Sequence, residues 1–289
     1  MVNSTSKDSG RKLFYGLFIF PLLIAVGMAV LLCTVVLLTK ETETPESLIS
    51  SIKTGTPSKR WQKAFELSNE LNQGRGMLRS SGVMKEIIHI LNRPEEYDPK
   101  TRSYMAMALS HFEEQEASDA LMKALQAESD ADVQLFLLWS LGIKQAGEAE
   151  GLVLPFLDSE RSDLKKMAAY VLGVIGSAAS VKSLQALLDD PERDVRWNSA
   201  LSLARLGDNA GYSELLTMLD RETLEADGGF TAAKIEEVMI GAIKGIVLLG
   251  RNDALPYLED LSREEKSLKV RQAALEAMKY FKSPKGIAA

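Results

Sequence analysis

Apolar and acidic positions recur through the middle of this chain every 31 residues, without a gap, from Asp132 to Asp220. One column holds Asp132, Asp163 and Asp194, and another Leu141, Leu172 and Leu203. Val153, Leu184 and Leu215, then Leu157, Leu188 and Leu219, and finally Asp158, Asp189 and Asp220 complete the set. A fixed period of this length means that one supersecondary unit is stacked on copies of itself, because a single unit cannot bury its own apolar face. Within the unit, Leu164, Met167, Ala168, Val171, Leu172 and Ile175 are spaced by three and four, which predicts a helix over Ser162 to Gly176 with one apolar side. Val181, Leu184, Leu187 and Leu188 predict a second helix after the break at Gly176-Ser177. Asp190-Pro191-Glu192 reads as N-cap, first helical position and first-turn acid of the next copy. The pattern is that of a helical hairpin repeated into a solenoid.

The same phrase can be followed outward. Lys59 to Leu67 matches Val195 to Leu203 at Arg, Trp, Ala and Leu, so a first unit begins there, with its second helix at Val83 to Leu91 beyond Gly74, Gly76 and Gly82. A second unit covers Pro94 to Ala127, and units three to five follow in register. In unit six the Gly207 position recurs only at Gly250, so about twelve residues are inserted at 221–234, around Asp227-Gly228-Gly229. Lys269 to Leu275 is one further first helix that suits a cap, and Pro155 should kink or shorten the second helix of unit three.

A different pattern occupies the start. From Leu13 to Thr39 no residue is charged. A bilayer core needs roughly 20 apolar residues in a helix, so this run is long enough to span one. It exceeds the h-region of a cleaved signal peptide, and Leu37-Leu38-Thr39-Lys40 offers no small-x-small cleavage site. Cys33, the single cysteine, follows Leu32, where a lipoprotein signal would carry a small residue. The expected organisation is a short cytoplasmic tail at 1–12, a transmembrane helix at 13–39, a linker at 40–58 in which Glu46 to Lys53 reads as a short helix, and an all-α solenoid of about six repeats at 59–289. Lys7, Arg11 and Lys12 precede the span, whereas Glu41, Glu43 and Glu46 follow it, which predicts a single-span protein of bacterial inner-membrane type with the solenoid on the exoplasmic side. The first 40 residues carry a net +3, so the remainder carries −9 of the total −6. An acidic solenoid lacks the basic stripe that nucleic acid requires.

The recurring Asp-Val-Arg-Trp…Ala…Leu…Leu-Gly phrase, fullest at Asp194 to Gly207, resembles HEAT repeats of the phycobilisome-lyase-like class over roughly residues 47–289. That resemblance implies a right-handed superhelix of antiparallel helix pairs, used mainly as a protein-binding scaffold, and no particular reaction. An iron-dependent hydroxylase of deoxyhypusine with such repeats holds its metal through His-Glu pairs; here His89 precedes Ile90 and His111 precedes Phe112. Bilin lyases share the repeats, but they are soluble partners of a cytoplasmic antenna, and an outward-directed span conflicts with that.

Ser-His-Asp and Cys-His sets, phosphate-binding glycine loops and metal signatures are absent from the sequence, and Gly74-Arg75-Gly76 lacks a strand-turn-helix setting. The chain is therefore expected to be no enzyme, to need no cofactor or metal, and to dock a membrane or envelope protein through its solenoid. The alternatives are a permanent non-catalytic subunit of a membrane transporter or enzyme and, more distantly, a bilin-lyase-like enzyme or chaperone. Two columns of the first helices point away from the partner helix: Tyr104, Leu135, Lys166, Trp197, and Ala108, Trp139, Tyr170, Leu201. Tyr104, Trp139, Tyr170 and Trp197 are the candidate partner-binding residues. The competing expectation is that Trp139 and Trp197 wedge between neighbouring helices and only close the solenoid.

Overall fold

The computed structural model describes residues 15–39, 44–74, 79–226 and 228–283. It divides into two compact units, one up to Thr44 and the other from Pro45.

The N-terminal unit is a π-wound turn at Tyr15–Ile19 followed by α1, Phe20–Thr39. Pro21 removes one backbone donor at the start of α1, and the wider turn lies just ahead of it. Among the described residues this is the one helix long and apolar enough to cross a membrane, with a mean hydropathy of 2.7 over Gly16–Val35 and none of that window buried. The Thr34 hydroxyl donates to the Val30 carbonyl at 2.7 Å, so it needs no water. Leu13, Phe14 and the tail at 1–12 lie outside the described residues.

The second unit is all helix among the described residues. It opens with α2, Pro45–Thr54, and α3, Pro57–Asn72, which pack on each other. The linker expected at 40–58 is corrected here: Leu48, Ile49 and Ile52 of α2 are buried in the core. They form one apolar face and cover the side of the first hairpin that a stacked neighbour covers in the other units.

The first helices that follow are α5, Pro99–Leu109; α7, Ala131–Lys144; α9, Ser162–Ile175; α11, Arg193–Arg205; α14, Ala232–Leu248; and α16, Leu268–Lys282. With α3 they lie side by side as one continuous layer. The second helices form the other layer: α4, Ser81–Leu91; α6, Gln115–Ala127; α8, Glu150–Val153; α10, Val181–Ala186; α12, Tyr212–Thr217; and α15, Leu255–Glu264. Pro155 stands in a 3₁₀ turn, Leu154–Asp158, that continues α8. The next repeat tightens in the same way at Leu187–Asp189 with no proline, so proline is not the only cause. The insertion contributes α13, Arg221–Ala226, anchored by buried Leu224; Asp227 lies outside the described residues.

Two details of the repeat differ from the sequence reading. The Asp98 carboxylate accepts from Thr101 N–H at 3.0 Å, and the Asp130 carboxylate from Val133 N–H at 3.1 Å. These caps stand 32 residues apart, so unit two is one residue longer than the later period. Asp190, expected to cap α11, instead accepts from Lys165 at 2.6 Å and from Glu192 N–H at 2.9 Å, and α11 starts at Arg193.

The basic residue at the arginine position of the repeat phrase ties its helix to a loop, either the following one or the one before it. Arg102 pairs with Glu128, Lys165 with Asp190, and Arg271 donates to the Glu265 carbonyl at 2.5 Å, each tying a first helix to a loop that precedes a first helix. The hairpin turn is made by a left-handed residue at Gly176, Gly207 and Gly250, and by Gln145 at φ 52° in unit three. The buried residues form two clusters, Leu48 to Leu203 and Trp197 to Phe281. They meet along α11, whose Val195 and Leu203 belong to the first and Trp197, Ala200 and Ala204 to the second.

Candidate functional site

The side of the first-helix layer turned away from the second helices carries the four candidate residues. Tyr104 is half-buried, its ring 5.3 Å from Phe65 and 6.0 Å from Phe136, both edge to face. That geometry suits the ring quadrupoles and makes a three-ring row across α3, α5 and α7. The 32-residue spacing of the caps explains it: Tyr104 stands level with Phe136 and not with Leu135, as the columns had it. For the same reason Ala108 is fully buried, and Met107 takes the outward place beside Trp139.

Trp139 is half-buried and walls two hollows. One, about 220 Å³, is closed by Met107, Leu135, Phe136 and Met167. The other, about 310 Å³, reaches Phe65, His111 and Ile143. Burial, and then the Arg79 guanidinium, hold the His111 imidazole below its usual value, so it faces this hollow neutral at pH 7.

Tyr170 and Trp197 line a third hollow of about 490 Å³ between α11 and α14. Tyr170 is half-buried, with the Arg205 guanidinium 5.2 Å over its ring. Trp197 retains only 6% exposure, because Phe230 of the insertion lies 5.7 Å from it and Arg193 stacks on both rings at 4.7 and 4.5 Å. Its indole packs the insertion onto α11. Trp139 and Trp197 thus differ in surroundings although their rows adjoin in sequence.

Phe65, Met107, Phe136 and Arg205 were not singled out from sequence. Phe65 and Met107 lie upstream of the 32-residue step, so a strict period of 31 passes them by, and Phe136 faces Tyr104 only once that step is counted. Phe230 lies in the insertion, where no repeat points to it. Of the acid column, Asp132 and Asp194 take cations from the neighbouring repeats, Arg161 at 3.0 Å and Lys166 at 3.5 Å. Among the described residues no three His, Cys, Asp or Glu side chains come together as metal ligands. Gly74 ends α3 with φ 74°, and Arg75 and Gly76 lie outside the described residues.

The HEAT repeats family matches residues 149–226. The phycocyanobilin lyase subunit alpha of Nostoc sp. (strain PCC 7120 / SAG 25.82 / UTEX 2576) is 25% identical over 159 residues, which take in 52% of this chain and 57% of that relative. The chain thus spans little more than half the length of this curated relative. The solved complex of CpcE and CpcF of phycocyanin lyase from Nostoc sp. PCC7120 superposes with a TM-score of 0.59 at 18% identity, over 86% of this chain and 93% of that chain. These findings correct the expectation that the chain is no enzyme, since the matching relative is a lyase subunit. That expectation rested on missing triads, metal sites and phosphate loops, and their absence bears only on the chemistries that use them. From Pro45 onward the chain is a HEAT-like α-solenoid, similar in sequence to a lyase subunit and in fold to a lyase complex.

Proposed function

We propose that the chain is a membrane-anchored docking protein whose first-helix layer receives a membrane or envelope protein at the aromatic surface around Trp139. The observation that carries this reading is the half-exposed indole between two hollows, beside the Phe65–Tyr104–Phe136 row. Core packing does not require so much aromatic surface on the outward side, and partly exposed aromatics in preformed hollows are typical anchors of binding energy. The apolar helix α1 supports the anchor, and the basic residues before it and acids after it support an exoplasmic solenoid. A photo-crosslinking amino acid at Trp139 or Tyr104, against one at exposed Lys182 on the second-helix layer, tests the reading. Crosslinks to one discrete protein from the first two positions and none from the third are expected; equal crosslinking from all three sinks it.

The Nostoc relative favours a second reading, that the docked protein is the substrate of a lyase-type reaction. The purified chain is then expected to shift the absorption of added phycocyanobilin and to promote its attachment to a protein acceptor such as phycocyanin. An unchanged spectrum and no attachment count against it.

A further inference from the structure

The hollow between α11 and α14 differs in chemistry from those around Trp139. Tyr170, Leu201, Val238 and Ile240 give it apolar walls, and Arg205 and Lys244 stand on its lining. Two carboxylates, Asp194 and Glu237, line it as well, and each already has a cation: Glu237 takes Lys234 at 3.1 Å and Asp194 takes neighbouring Lys166 at 3.5 Å. Among the described residues no carboxylate pairs with Arg205 or Lys244. Arg205 lies 5.2 Å over the Tyr170 ring, a contact that uses the face of its guanidinium and none of its N–H donors.

The setting makes these two charges informative. Residues 41–289 carry a net −9, so the long-range field of the solenoid repels acids. Arg205 and Lys244, both exposed and without a carboxylate partner, stand beside the apolar part of a mixed lining and work against that field locally, which favours a carboxylate presented together with apolar surface over free solvent anions. A space of about 490 Å³ holds more than one side chain.

We propose that this hollow takes a glutamate or aspartate side chain of the docked protein, flanked by apolar residues that rest on Tyr170, Leu201 and Ile240. The inference deepens the docking reading and rests on it, because it names the partner segment as acidic and amphipathic. The test uses the full-length protein in detergent and two fluorescent 15-residue helical peptides, one of leucine and glutamate, the other with every glutamate replaced by glutamine. Anisotropy is expected to show the glutamate peptide binding roughly tenfold tighter, as one charge-assisted contact implies. That preference should vanish in R205Q/K244Q and survive in K182Q. Equal affinities, binding of neither peptide, or a preference that survives R205Q/K244Q overturns the proposal. Melting curves of the double variant show whether it stays folded, and R205K, which keeps the charge but loses the planar fork, is expected to retain part of the preference. Crosslinking from Trp139 without charge preference fails this inference alone; charge preference without crosslinking fails the docking reading alone.

Discussion

Gln145 turns the chain at φ 52°, where the equivalent residues of the next two repeats are Gly176 and Gly207. A side chain in the left-handed region costs about 1 kcal/mol, and glycine gives part of that back as unfolded-chain entropy. Gln145→Gly is therefore expected to stabilise the solenoid by about 0.5 kcal/mol, read as a rise in melting temperature; an unchanged or lower value would mean that the Gln145 side chain contributes contacts of its own. The two tryptophans separate in the opposite way. Trp197→Ser removes an indole at 6% exposure and should cost about 3 kcal/mol. Trp139→Ser should cost less than half of that and abolish crosslinking from Tyr104; equal losses of stability would assign both to packing. The outward placing of Trp139 and Tyr170 was legible because both lie in the strictly periodic stretch. Tyr104 was placed one row off, since a single extra residue before Asp130 rotates everything upstream by about 100° around the helix. Trp197 looked outward because the residue that covers it, Phe230, stands in a segment with no period.

Helices are joined in this array by carboxylates that precede first helices. Burial pushes the Asp190 and Glu265 carboxyls up, but the Lys165 ammonium, the Arg221 guanidinium and neighbouring N–H groups outweigh it and leave both below their ordinary values. A carboxyl that titrates lower in the folded chain contributes its full stability above the ordinary carboxylate range. That contribution begins to fall as pH drops to about 4 and is lost below the folded value. Arg221 reaches Glu265 at 2.6 Å and so ties α13 to the loop before α16. Arg221→Met leaves Glu265 buried without its cation, at a cost of about 3 kcal/mol near pH 7. Urea unfolding at pH 7 and pH 3.5 should show the gap to the parent chain shrinking at the lower pH; a constant gap would mean the pair contributes packing only. For α1 the expectation follows from charge. Cys33 is the one native thiol, so Ser58→Cys and Leu268→Cys can be labelled without interference from other soluble thiols. An impermeant maleimide should reach both in intact cells, and labelling only after permeabilisation would reverse the orientation. The hairpins and the apolar helix were readable from periodicity and length. The short α2 helix was readable too, at Glu46–Lys53, but its place in the core was not, because Thr-Pro-Glu-Ser and Thr-Gly-Thr-Pro-Ser around it carry turn residues that made the segment read as a linker.

The solenoid follows the rule that repeats are stabilised by neighbours, with α2 supplying the missing neighbour at one side. Its fold class was evident from the period alone, whereas a reaction stood only as the distant bilin-lyase-like alternative until the similarity to a lyase subunit gave it weight. The array also has an internal seam. Since α11 gives Val195 and Leu203 to one core cluster and Trp197, Ala200 and Ala204 to the other, either half can open while the helix keeps one packed side. Native-state hydrogen exchange should then sort the amides into two cooperative groups, residues 45–190 and 207–283. The slowest amides should fall on α11 itself, which is released only when both groups are open at once, so the last helix to surrender its protons is the one at the junction.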